Sequence, residues 1–364
     1  MTDILVIGGG IAGISAAAEC ARAGASVTVL ESEPQIGYHA TGRSAAIFIR
    51  NYGNASLRAL NAVAEPIFEG PGEISDTAIL SPRGELMIAS EAELPVLDAY
   101  LDGAVGVERL TGQEAAEIVP ILKRDRIAGA LIERDARGID VERLLQGYAR
   151  MLRARGGRIV TGAGVTAIRR EAGQWQVDTA QGSHAAPIIV NAAGAWADEL
   201  ASLAGLPRLG LQPCRRSAAI IPAPEGYEID QWPIFGSIAE TWYAKPEAGK
   251  LMVSPADEDP VDPHDAWPDD MVLAEGLDRF EQAVTHQVRR VEHSWAGLRT
   301  FAPDRTPVAG FDPRADGFFW LAGQGGYGVQ TAPALSRVAA GLLTGGAVPV
   351  DAATRAALAP DRFL

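Results

Sequence analysis

Three glycines and one acid near the start of the chain are spaced for dinucleotide chemistry. Gly8-Gly9-Gly10-Ile11-Ala12-Gly13 fits G-x-G-x-x-G, and Glu31 stands 18 positions beyond Gly13. Gly8 permits a tight turn, Gly10 lets the backbone approach a pyrophosphate, and Gly13 lets a helix pack close to a strand. Phosphates then sit on N–H groups at the helix N-terminus, with Ile11 and Ala12 in the turn that leads into it. A carboxylate at Glu31 can accept hydrogen bonds from a ribose diol. The flanking elements must hold these groups. Ile4-Leu5-Val6-Ile7 is an apolar run of the length of a buried parallel strand. Residues 14–23 predict an alanine-rich helix that stops at Gly24, and 26–30 predict a second strand ending at Glu31. A glycine turn alone is also what an unrelated α/β protein uses for packing. The order strand, glycines, helix, strand, acid separates the two.

Length and composition set the outer bounds. A chain of 364 residues implies two domains or one large discontinuous one, and 47% hydrophobic content is ample for a core. A formal charge of −14 and a pI near 4.9 argue against nucleic acid and anionic membranes as partners, since both need a basic face. Cys20 and Cys214 lie far apart and form no disulfide framework, and neither they nor the five histidines have metal spacing, so no metal is expected. Only one histidine, His39, falls in the loop after Glu31. The cysteine usage, the lack of a basic leader and the lack of an apolar run long enough for a transmembrane helix predict a cytoplasmic protein.

After Glu31 comes Ser32-Glu33-Pro34-Gln35-Ile36-Gly37-Tyr38-His39-Ala40-Thr41-Gly42-Arg43-Ser44-Ala45-Ala46. Read bluntly, this is a connecting loop. Flavoproteins use such a loop, directly after the acid, to thread chain beneath the isoalloxazine. Here the sequence resembles the D-amino-acid-oxidase-like family of FAD enzymes, which includes glycine and sarcosine oxidases. Within it the resemblance is closest to the FAD-dependent D-arginine dehydrogenases. The segments that carry it are Gly37 to Ala46, Leu80-Ser81-Pro82-Arg83, Gly210-Leu211-Gln212-Pro213, Trp295-Ala296-Gly297-Leu298-Arg299 and Gln324-Gly325-Gly326-Tyr327-Gly328, in the same order across nearly the whole chain.

The resemblance implies an α/β fold: a Rossmann-type FAD-binding domain (1–78, 139–204 and 296–364) and a discontinuous α+β substrate-binding domain built on an antiparallel sheet (79–138 and 205–295). It implies non-covalent FAD, because the sarcosine oxidases attach flavin through a cysteine where this chain has Gly297. Beside Gly8, Gly10, Ile11, Ala12, Gly13 and Glu31, it assigns to the cofactor Ser32, Thr41, Gly42, Arg43, Ser44, Ala45 and Ala46. The backbone of Val165 meets the adenine. Ala193, Gly194 and Trp196 follow a returning strand, and Gly325, Tyr327, Gly328, Val329 and Gln330 form a second glycine-rich turn.

The remaining elements follow from local pattern. Residues 57–68, 91–101, 113–120, 271–288 and 334–343 predict helices, with Thr111 capping the third. Asp140 caps another, whose apolar face carries Leu144, Leu145, Tyr148, Met151 and Leu152. Residues 84–89, 158–164, 165–170, 174–179 and 187–191 predict strands, 206–252 an antiparallel sheet, and 257–270 a surface loop rich in Pro and Asp.

Oxidation of an amine by flavin asks little of the protein. The Cα hydrogen leaves as hydride to flavin N5, and the protein holds the carboxylate, keeps the amine neutral and excludes water. Arginine is the natural carboxylate clamp. The resemblance gives that role to Arg216 and Arg299, helped by the Tyr243 hydroxyl. Tyr52 covers the site, the Gly326 carbonyl accepts from the substrate amine, and Glu85 meets a cationic side chain. Taken alone, Glu85 beside an apolar run reads as a solvated strand-edge residue. Ile47 departs from the D-arginine enzymes, which carry a histidine there. The expected function is oxidative deamination of D-amino acids, basic or broad in range, to imino acids that hydrolyse to 2-oxo acid and ammonia. The electrons pass to a quinone, a carrier or O2. Oxidation of a secondary amine or a 2-hydroxy acid, or flavin binding without turnover, are the alternatives.

Overall fold

The computed structural model describes residues 2–364. A six-stranded sheet runs in the order Val308–Phe311, Phe318–Ala322, Ile188–Asn191, Ile4–Ile7, Val27–Leu30, Arg158–Val160. All neighbours are parallel except the first pair. Ile4–Ile7 lies inside this sheet and is buried along its length, which is why it reads as an unbroken apolar run. Helices Ile11–Arg22, Val141–Ala154 and Gly328–Thr344 pack on one face of the sheet, with Ile14, Cys20, Leu144 and Leu335 in the common core. Asp140 accepts from the Arg143 amide, as a cap should.

The first helix begins at Ile11, not 14, because the glycine turn itself opens it. Gly8 sits at φ +116°, and a Cβ on Gly13 would lie 2.0 Å from the Gly8 carbonyl oxygen. Gly13 is therefore a contact between helix and strand that tolerates no side chain. Gly13→Ala is expected to cost about 1–3 kcal/mol of stability as an overpacked site, checked by a lower midpoint in thermal unfolding and weaker FAD retention.

A nine-stranded sheet forms the other half. It is antiparallel except where Ile234–Ser237 runs parallel to Glu85–Ala89. Those two strands come from distant parts of the sequence, so no tight hairpin constrains their direction. Four helices differ in extent from the local reading. Ala55–Glu69 starts earlier because Asn54 caps it, accepting from Leu57 N. The stretch 91–101 divides into a short 3₁₀ turn and the helix Leu94–Leu101. Asp270–Ala283 ends early, where Val284 leaves to bridge Leu122. Gly328–Thr344 starts six residues early and carries Pro333 inside it, which forfeits one backbone hydrogen bond. No helix among the described residues is long and apolar enough to cross a membrane.

Candidate active site

The seam between the two large sheets holds a cavity of about 550 Å³, within the usual range for cofactor clefts. Gly8, Gly10, Ile11, Ala12, Glu31 and Ser32 line one end, and Val165, Ala193, Gly194 and Trp196 line it too. From the loop after Glu31, Thr41, Arg43, Ser44 and Ala45 reach it; from the C-terminal glycine turn, Gly325, Gly326, Gly328 and Val329 do. Of the clamp, Arg216, Tyr243 and Arg299 line the other end. Gly13, Gly42, Ala46, Tyr52, Glu85, Tyr327 and Gln330 do not line this cavity, and each has another place.

The acid and the glycines fit a dinucleotide. The Glu31 carboxylate accepts from Gly9 N at 2.6 Å and from Glu33 N at 2.8 Å, which fixes it at the end of its strand with lone pairs left over. Gly10 is the N-cap and supplies no side chain to its helix; Thr41 Oγ1 accepts from Ile11 N at 3.0 Å. Gly42 supports the loop, since its N–H donates to Gly37 O at 2.8 Å and a Cβ would lie 2.6 Å from that oxygen. Helix Gly328–Thr344 likewise starts without a side-chain cap beside the cavity. These two helix starts offer positive ends to a phosphate and to an electron-rich ring.

Arg43 has a different job from direct contact with phosphate. Its Nη2 donates to Asp265 at 2.5 Å, and its Nη1 donates to the carbonyls of Ala266 and Ala296 at 3.1 and 3.0 Å. Tyr38 Oη donates to the same Asp265. The guanidinium thus latches the 257–270 loop to the cofactor loop. His39 lies between Glu33 (3.0 Å) and Asp265 (3.9 Å) and is part of the same cluster. Ala46 stands at φ +40°, a left-handed position for a non-glycine residue, and its carbonyl accepts from Ile139 N.

The register of the nine-stranded sheet puts the proposed substrate groups on one face. Cross-strand partners share a face, and so do residues two apart. Glu85 and Met87 alternate to one side; Met87 pairs with Gly236, Gly236 with Tyr243, and Tyr243 with Ser254. Met252 pairs with Ile220, two steps of two from Arg216; on the next strand Gly297 pairs with Arg216 and Arg299 with Cys214. Glu85, Tyr243, Arg216 and Arg299 therefore project from one face. Glu85 stands two strands from Tyr243, about 10 Å across the sheet and about 7 Å along it.

Arg299 lies half-buried under the second glycine turn. A Cβ on Gly326 would lie 2.8 Å from its Nη1, so a larger residue there would displace the guanidinium. Among the described residues no carboxylate lies within ion-pair distance of Arg299; its side chain contacts the Tyr52 hydroxyl instead. Arg216 is partly committed, with Nε donating to Asp257 O at 2.7 Å and Nη2 standing 3.6 Å from Glu258. Burial alone would raise the Tyr243 phenol, but the Arg299 and Arg216 guanidiniums bring it below its usual value. Burial pushes Tyr52 up and keeps it a neutral donor. Tyr52 packs on Tyr327, ring to ring at 4.7 Å. Two arginines and the Tyr243 hydroxyl thus face the cavity with the chemistry to hold an anion.

The profile of the FAD-dependent oxidoreductase family, DAO, matches residues 3–342. The chain belongs to this family. It is 26% identical to glycine oxidase from Bacillus licheniformis, over 96% of this chain and 95% of that one. Its fold matches L-proline dehydrogenase from P. horikoshii at a TM-score of 0.85 with 23% identity, covering 100% and 97% of the two chains. It also matches L-amino acid deaminase from Proteus vulgaris at a TM-score of 0.83 with 17% identity, covering 100% and 97%. FAD is the cofactor of the DAO family, and the glycine cradle and Glu31 fit it.

In this DAO-family chain, Gln330 is structural. Its Oε1 accepts from Ile49 N at 3.3 Å, and its Nε2 donates to Asn61 Oδ1 at 3.0 Å. Asn61 in turn donates to the carbonyls of Ile49, Arg50 and Tyr52. Together they fix the segment that presents Tyr52. Local sequence pattern missed Asn61, because an asparagine inside an amphipathic helix carries no local mark of its partners. It also missed Lys245, on the same sheet face, whose Nζ donates to Ala45 O at 2.8 Å and supports the cofactor loop. Asp257 was read as surface loop, yet it is buried, and its carboxylate accepts from Ser217 N and Oγ behind Arg216. Glu240 was likewise unmarked. It holds a left-handed φ of +53°, and its charge acts on Tyr52, Glu85, Arg299 and Tyr327.

The one clear reversal is Glu85. It is not a solvated edge residue: it lies inside the sheet between Ile234 and Glu133 and is 7% exposed. Ile47 forms a short strand with Gly138 and brings no proton-transfer group.

The flavin is expected to be held without a covalent bond. Gly297 lines the cavity, Cys20 is buried in a helix core, and Cys214, though paired in register with Arg299, packs its thiol against Leu57, Phe301 and Tyr327. Acid precipitation is expected to leave a colourless pellet and a yellow supernatant.

Proposed function

We propose that this DAO-family chain oxidises D-amino acids, basic side chains among them, to imino acids that hydrolyse to 2-oxo acid and ammonia. One observation carries the reading: a half-buried arginine lining the cavity, with no carboxylate partner among the described residues and tyrosines beside it, on the same sheet face as a buried glutamate. An α-carboxylate answers the first, and a cationic side chain answers the second. The names of its relatives, which specify glycine, L-proline and L-amino acids, support an amino-acid donor. The D configuration and the basic side chain rest on the resemblance to D-arginine dehydrogenases and on the placement of Glu85.

When bound, FAD supplies the acceptor for two electrons and the Cα hydrogen. The chain supplies position and polarity. Arg299 and Arg216 hold the α-carboxylate bidentately, with Tyr243 hydrogen-bonded beside Arg216. The Gly326 carbonyl takes a hydrogen bond from the neutral amine, and Tyr52, pinned by Asn61, closes the site against water. The division 1–78, 139–204 and 296–364 against 79–138 and 205–295 needs one shift, since the strand His293–Phe301, which carries Arg299, pairs along its length with Gln212–Ile221 in the nine-stranded sheet.

The test is product analysis. With an artificial electron acceptor, the purified holoenzyme is expected to release ammonia and the matching 2-oxo acid in equal amounts from D-arginine. Formation of glyoxylate from glycine or sarcosine with no turnover of larger D-amino acids would replace this reading with the secondary-amine one.

A further inference from the structure

Glu85 and Glu133 stand directly opposite each other on neighbouring antiparallel strands. They are 7% and 1% exposed. Like charges in that relation repel, and a pair so buried cannot both ionise easily. The hydrogen bonds are unequal. Glu133 accepts from Arg50 N at 2.8 Å and from Asn51 Nδ2 at 2.6 Å, a seat made for an anion. Glu85 has only the Tyr100 hydroxyl, at 3.4 Å. The other charges near the pair give Glu85 no counter-ion. Glu240, from the turn before Tyr243, is a further acid acting on it. Arg50, which acts on Glu133, spends its guanidinium on Glu65 at 2.6 and 3.0 Å and also lies 3.9 Å from Asp135. Arg58, from the helix Ala55–Glu69, acts on Tyr100. Burial raises both carboxyls, and Glu133 has donors that oppose the rise. For Glu85, burial first, then Glu133 and Glu240, push the carboxyl up to about 8.

We propose that Glu133, directly across the strand pair, tunes side-chain selectivity: with burial it keeps a proton on Glu85 until a cationic substrate side chain arrives and replaces that proton. This rests on the reading that Glu85 meets the substrate side chain. The exchange balances simply. Glu85 loses its proton to solvent, and its carboxylate pairs with the guanidinium or ammonium. An apolar substrate neither displaces nor requires that proton, so one pocket takes both kinds and only the cationic substrate feels the titration. Glu133 touches no substrate and acts as a positioning residue through Glu85. Below the Glu85 titration, a cationic substrate must displace a proton, and its advantage over an apolar one falls about tenfold per pH unit. Above it the advantage is level. Ionisation of the α-amine is shared by both substrates and cancels in the ratio.

The experiment measures kcat/KM for D-arginine and D-methionine with the holoenzyme from pH 6 to 9.5. In the wild type the ratio is expected to climb about tenfold per unit and level off near pH 8. Glu133→Gln removes the neighbouring charge, so its ratio is expected to level off at lower pH and to exceed the wild-type ratio at pH 6.5 by at least about fivefold. Glu133→Asp is expected to restore the climb. A ratio flat with pH in the wild type overturns the proposal whether or not the variants fold, and so does a folded Glu133→Gln with the wild-type curve. Glu85→Gln separates the two levels. If it removes the D-arginine preference while the wild-type ratio is flat, only the role of Glu133 falls. If it leaves the ratio untouched, the assignment of Glu85 to the side chain falls as well.

Discussion

Arg299→Met is expected to lower kcat/KM by about 30- to 1000-fold, the loss of about 2–4 kcal/mol from a charge-assisted hydrogen-bonded pair. The flavin is expected to stay bound, because the glycine cradle, Glu31 and the helix start at Ile11 lie at the other end of the cavity. Arg216→Met is expected to act in the same direction and less strongly. Arg216 already divides its guanidinium between the Asp257 carbonyl and Glu258, whereas Arg299 has no carboxylate within reach among the described residues. Steady-state kinetics of both variants, with visible absorbance as the check on flavin content, decide the matter. Near-normal kinetics in both remove them from the site.

The second large effect concerns Glu85→Leu. A carboxylate accepts two N–H bonds from a guanidinium or one from an ammonium. Assayed at pH 9, above the value of about 8 to which burial and the neighbouring acids push the wild-type carboxyl, the variant is expected to lose about 1–3 kcal/mol on D-arginine. That is about one to two orders of magnitude in kcat/KM. On D-methionine or D-leucine it is expected to keep most of its activity, since leucine is apolar and near the same volume. The burial of Glu85, 7% exposed, moves the expectation towards the upper end, because solvent screens the pair little. An equal change on both substrates, or wild-type activity confined to apolar amino acids, would return the pocket to Ile47 and the apolar reading.

What the sequence made legible follows from range. Gly8, Gly10, Gly13 and Glu31 are read from one short stretch because strand, turn and helix adjoin in the chain, and the structure keeps them together. The cap at Asp140 and the apolar face of its helix are local too. Glu85 was misread by its own surroundings. Its strand neighbours begin at Gly129 and Ile234, far along the chain, so alternation within 84–89 gave no sign that the acid lay inside a sheet. Glu133, Asn61, Lys245 and Asp257 escaped for the same reason: each acts through a partner distant in sequence. Helix Gly328–Thr344 begins six residues before the predicted 334, through Pro333, which shows packing overriding low helix propensity. Arg43 lines the cavity, but its bonds to Asp265, Ala266 and Ala296 tie two loops together through partners more than 200 positions away, which no local pattern shows.

The most direct measurement of the central claim is anaerobic mixing of the oxidised holoenzyme with D-arginine and, separately, with L-arginine, followed by the flavin absorbance. The account predicts rapid and complete bleaching by D-arginine, saturating with concentration, and none by L-arginine on the same timescale. Bleaching by L-arginine alone, or by neither enantiomer while glycine or sarcosine bleaches the flavin, would contradict it.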